Sequence, residues 1–109
     1  MRDDEKRAAL NQAVARDANE TVEDLAVAWD PPADPISIRC ECSREDCRVT
    51  LRVSVDEYEC VRDDPRHFLV SPGHVDERID RVVGSVRSYA LVEKIGEGAS
   101  VAEGTDPRP

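Results

Sequence analysis

Two short alternating runs fix most of what this chain can become. Ile36, Ile38, Cys40 and Cys42 alternate with Ser37, Arg39 and Glu41, and Cys47, Val49, Leu51 and Val53 alternate with Arg48, Thr50, Arg52 and Ser54. A period of two marks half-buried strands. Ser43 to Asp46 suits a hairpin loop, and tight closure sets Cys42 opposite Cys47, Cys40 opposite Val49, Ile38 opposite Leu51 and Ile36 opposite Val53. All three cysteines then share the apolar face near one end of the hairpin.

Three neighbouring thiols gain nothing by sharing an apolar face, whereas a divalent cation would convert them to thiolates and cross-link the hairpin to a distant segment. Zinc takes four tetrahedral ligands from thiolate and imidazole, supplied in structural sites by two loops or turns. Cys40, Cys42 and Cys47 are the candidate thiolates. His74 is the expected fourth ligand, presented by the tight turn Ser71-Pro72-Gly73-His74, with Cys60 its competitor. Two plainer uses of the cysteines stay open: small apolar core residues, or a cross-strand Cys42 to Cys47 disulfide. The Cys-x-Cys-x4-Cys spacing is less specific than a doubled Cys-x-x-Cys.

A staple is what a chain of this composition needs. Its 109 residues fit one domain, and with 39% apolar residues, one Trp and one Phe the core must come from Val, Ile, Leu and Ala. Thin cores in small domains commonly rely on a metal or covalent link.

Around the hairpin, Leu10, Val14, Ala18, Val22, Leu25 and Trp29 recur every three or four residues, which predicts a helix over about residues 4 to 29 burying one stripe. Asn19 and Thr21 leave open one long helix or two collinear ones. Pro31, Pro32 and Pro35 end it in a stiff connector. Ser54 with Glu57 forms a capping box for a short helix through Arg62 that buries Val55, Tyr58 and Val61. Phe68 to Val70, Ile79 to Val86 and Tyr89 to Ile95 read as strands, with a helix left open for Ile79 to Val86. The expected fold is α+β: an N-terminal amphipathic helix over residues 1–30 packed on a small, mainly antiparallel sheet, a zinc-binding core over 36–96 with the metal pinning the hairpin to the 71–74 turn, and a flexible tail over 97–109.

These residues also carry a resemblance. Cys40-Glu41-Cys42 with Cys47, then Glu57-Tyr58-Glu59, Val61-Arg62, Asp64-Pro65-Arg66, Phe68-Leu69-Val70, Pro72-Gly73-His74 and Val92-Glu93-Lys94-Ile95-Gly96-Glu97 resemble a pattern found in a group of short actinobacterial proteins with no assigned activity. The resemblance covers about residues 38 to 97. It implies that the three cysteines and the histidine after Pro-Gly belong to the shared motif, whereas Cys60 and His67 do not, which favours His74 as fourth ligand.

A formal charge of -9 repels phosphate backbones, and basic residues are interleaved with acids throughout, so nucleic acid is a disfavoured partner. The one exception is a local stripe of Arg39, Arg48 and Arg52 on the polar face of the hairpin. No thiol is singled out as a nucleophile, His67 reads as a surface or strand-edge residue, no phosphate loop follows a strand, and the acidic runs suit helix ends and turns. Neither a signal-type apolar core nor a span of ~18 apolar residues is present, so a cytoplasmic, reducing location is expected, favouring metal or free thiol over disulfide. The expected role is that of a non-enzymatic zinc protein that binds another protein, or a second copy of itself, through the N-terminal helix. A transcription-associated nucleic-acid-binding protein and a thiol redox sensor that expels zinc on oxidation are the alternatives.

Overall fold

One unbroken helix, α1 (Asp3–Ala28), runs straight through Asn19 to Thr21, where the sequence leaves a break open. The computed structural model describes residues 1–86 and 88–108. The chain then forms β1 (Ile36–Arg39), β2 (Thr50–Val53), α2 (Val55–Arg62), β3 (His67–Val70), a 3-10 turn at Pro72–His74, β4 (Asp80–Ser85), β5 (Ala90–Lys94) and α3 (Glu97–Gly104). The fold is α+β, a long N-terminal helix with antiparallel sheets.

The strands form two small sheets. β1 pairs antiparallel with β2 in the register the alternation requires, Ile36 with Val53 and Ile38 with Leu51. The strands stop short of the cysteines, but the Cys40 N–H still donates to the Val49 carbonyl at 3.0 Å, one ladder step further. β5 lies between β3 and β4, with β4 bulged between Val82 and Gly84. The sheets are bridged by the segment between them: the Glu41 N–H donates to Leu69 O at 2.8 Å, so β3 is bonded along both sides. Phe68, Leu69 and Val70 are consecutively buried because both faces of β3 are also covered. α2 is held by its capping box: the Glu57 N–H donates to Ser54 Oγ at 3.0 Å and the Ser54 N–H to Glu57 Oε1 at 2.9 Å.

Two expectations fail. The apolar stripe of α1 does not face inward: Leu10, Val14, Leu25 and Trp29 are exposed, Ala18 is half-buried, and of the stripe Val22 leans on the core. The buried face carries Ala8, Ala9, Ala13, Ala15 and Ala26 among Gln12, Arg16, Asn19, Glu20 and Glu23. The physical reason is hydrogen bonding. Small alanines let the helix approach closely, and the polar side chains find partners beneath it: Gln12 donates to Asp80 at 2.9 Å, and Arg16 donates to Ala102 O at 2.9 Å while stacking on Phe68 at 4.5 Å. The second correction concerns the expected tail over 97–109, of which Pro109 lies outside the described residues. Instead of a flexible tail, Gly96 turns at φ +58° into α3, Ala102 is buried, and Arg108 reaches Glu23 at 3.1 Å and Glu59 at 2.6 Å. Among the described residues no helix is long and apolar enough to cross a membrane.

Candidate metal centre

Cys40 and Cys42 follow β1, Cys47 precedes β2, and His74 closes the 3-10 turn whose N–H donates back to Ser71 O at 2.9 Å. Their ligand atoms all lie within 4.8 Å of one another, so the four side chains are placed to hold a metal ion. Cys40 and Cys42 are buried, Cys47 and His74 half-buried. Cys60 is exposed on α2, away from the cluster.

The contacts inside the cluster suit a shared cation. Sγ of Cys40 and Sγ of Cys47 each stand 3.5 Å from the same nitrogen, Nδ1 of His74. One ring nitrogen has one lone pair and pairs with one of these thiols at a time, while Cys42 hydrogen-bonds with both Cys40 and Cys47. A cation between them would engage all of these sulfurs and the ring at once. Burial pushes the Cys40 thiol up to about 12; the Ser71 N–H opposes this and the neighbouring Cys42 adds to it. Burial raises the Cys42 thiol as well, against a hydrogen bond from the Arg44 N–H. A positive ion inverts that balance in favour of thiolates. Backbone donors are already aimed at the sulfurs, with the Ser71 N–H 3.1 Å from Cys40 Sγ.

Glu41, between the first two cysteines, points the opposite way and is 1% exposed. Its carboxylate accepts from Asn19 Nδ2 and from the Leu69 N–H, both at 2.9 Å. Asn19 also clamps the strand before it: Nδ2 donates to Arg39 O at 2.9 Å and Oδ1 accepts from the Arg39 N–H at 2.7 Å. Burial raises the Glu41 carboxyl while the Asn19 and Leu69 donors counter it. α1 thereby orients Cys40 and Cys42 from behind. On the far side Asn11 Nδ2 donates to Ser43 O at 3.0 Å, and Asp76, its carboxyl held down to about 2 chiefly by Arg78, receives the Ser43 hydroxyl. The alternating pattern puts Glu41 on the solvated side of its run and so hides the roles of Glu41 and Asn19. The available signal was Asn19 itself, a poor helix former in mid-helix.

His67, the first residue of β3, is half-buried beside Glu93 at 3.2 Å and Asp64 at 3.7 Å. Arg66 forks onto Asp64 and Arg81 pairs with Glu93, so this second grouping of possible ligands is a neutralised ion network. Arg39, Arg48 and Arg52 are exposed, with Glu45 in the same shallow cleft as Arg39 and Arg48. Compared with protein-family models, curated proteins and solved structures, the chain matches none.

Proposed function

We propose that this protein is a zinc-stapled interaction module, in which Cys40, Cys42, Cys47 and His74 hold one Zn2+ for structure and an outward helix face meets another protein. The observation that carries the zinc reading is the pair of 3.5 Å separations from Nδ1 of His74. Bonds of about 2.3 Å to sulfur and about 2.05 Å to nitrogen at a tetrahedral angle give a sulfur to nitrogen edge of about 3.6 Å. Three thiolates and one imidazole suit zinc among the common divalent ions and complete its coordination, leaving no position for substrate or water. That closure supports a structural role without catalysis. The metal would join the end of β1, the start of β2 and the turn after β3, fastening one sheet to the other.

Elemental mass spectrometry of untagged protein prepared without chelator tests this directly, together with the visible spectrum after cobalt replacement. One zinc per chain, and a tetrahedral cobalt spectrum indifferent to added azide, is the expected result. A folded chain free of zinc overturns the zinc reading. A cobalt spectrum that changes with azide reveals an open position and overturns the structural role.

A further inference from the structure

Among the described residues the outer face of α1 has no apolar partner. Leu10, Val14, Leu25 and Trp29 are 40%, 62%, 62% and 69% exposed. At 100° per residue they fall, with Thr21, within an arc of about 100°, on the side opposite buried Gln12, Asn19 and Glu23, and the strip they make is about 28 Å long. Single exposed apolar residues are ordinary; an aligned row ending in an exposed tryptophan is not.

Charge says what lies on it. Asp17 and Asp24 flank the strip, both exposed, and Asp30 follows it. Between Arg7 and Arg39 the one basic residue is Arg16, which is buried with its guanidinium turned to Ala102 O and Pro65 O. Among the described residues neither Asp17 nor Asp24 makes an ion pair, so the acid on this face is uncompensated. A second copy laid antiparallel along the strip brings Asp17 close to the mate's Asp24, and in either direction it offers neither acid a base, since Lys6 and Arg7 lie beyond the apolar row. Like charges meeting there oppose self-association.

We infer that this face receives a basic amphipathic segment of another protein, with apolar anchors at helical spacing set against Val14, Leu25 and Trp29 and with Lys or Arg opposite Asp17 and Asp24; the inference rests on the reading of the chain as an interaction module. Trp29 is the single tryptophan and reports occupancy directly.

The test uses two synthetic tryptophan-free helical peptides of about five turns with identical leucine faces, one flanked by Lys and Arg and the other by Glu. Each is titrated into zinc-loaded protein while Trp29 emission is followed. The basic peptide is expected to shift the emission to the blue, to weaken as salt rises, and to bind at least ~10-fold more tightly than the acidic one. Asp17→Lys with Asp24→Lys should reverse that preference, and Leu25→Asp should abolish binding with zinc content and circular dichroism unchanged. Equal binding of both peptides, lost in Leu25→Asp, overturns the basic partner and keeps the docking face. Failure of both peptides overturns both readings of α1. Sedimentation showing a dimer that Leu25→Asp dissolves replaces the basic partner with a second copy.

Discussion

Removing the Asn19 side chain strikes the joint between α1 and the metal segment. Asn19→Ala deletes three hydrogen bonds at a position with no exposure, stranding the Arg39 N–H, the Arg39 carbonyl and one oxygen of Glu41. Each neutral group left unpaired costs about 1 kcal/mol at the low end and the carboxylate about 2 kcal/mol, a total near 4 kcal/mol. A small domain holds about 5–15 kcal/mol, so the variant loses a large share of its stability. Urea unfolding in excess zinc measures this, with Val14→Ala on the outer face of the same helix as control, expected within about 0.5 kcal/mol of the parent. Because a metal bound by the folded state alone draws on folding energy, the apparent zinc affinity should fall by up to about a thousandfold. A loss below about 1 kcal/mol with unchanged zinc affinity would refute the argument, showing that Glu41 and the strand end hold their places without α1.

Replacing His74 with Ala should release or weaken the metal while Cys60→Ala keeps it; elemental analysis after a chelator challenge reads both. Glu23 is pushed up to about 7, first by burial and then by Glu59, against 4.5 for an ordinary Glu. The folded state therefore holds this proton more tightly between those two values, so stability falls as pH rises through that window, and Glu23→Gln should match the parent near its lower edge and be more stable above its upper one, as urea melts at both ends would show. Lys94 and Asp80 pair at 2.8 Å with 1% and 0% of their side chains exposed, and burial draws the Lys94 ammonium down. Asp80→Ala should cost about 3–5 kcal/mol in thermal or urea unfolding, most of it recovered when Lys94→Met is added.

The legible parts of the fold were those governed by local rules. Alternation gave the register of β1 on β2, and Ser54 with Glu57 gave the start of α2, because each depends on residues close in sequence. The cluster of Cys40, Cys42, Cys47 and His74 was legible for a related reason: the hairpin gathers three ligands locally and the Pro-Gly turn delivers the fourth. What α1 buries was not, since periodicity reveals an apolar face without saying whether that face turns inward. The partners of Gln12, Arg16 and Asn19 lie 20 to 86 residues away. The segment after Gly96 was misread because its small, polar residues look disordered until Ala102 and Arg108 find α1 and α2 across the molecule.

An apolar seam tolerates sliding, because one methyl group replaces another at little loss; the seam beneath α1 does not. Gln12, Arg16 and Asn19 each address a particular atom, so moving the helix by one turn would break all of these contacts at once. The helix is keyed to one position. Its pattern of mutational tolerance should therefore be the reverse of an ordinary amphipathic helix: leucine and valine interchangeable without loss of fold, asparagine and arginine fixed. A sequence drifting under selection for the fold alone would keep the polar row and lose the apolar one, so persistence of the apolar row would itself be a mark of use.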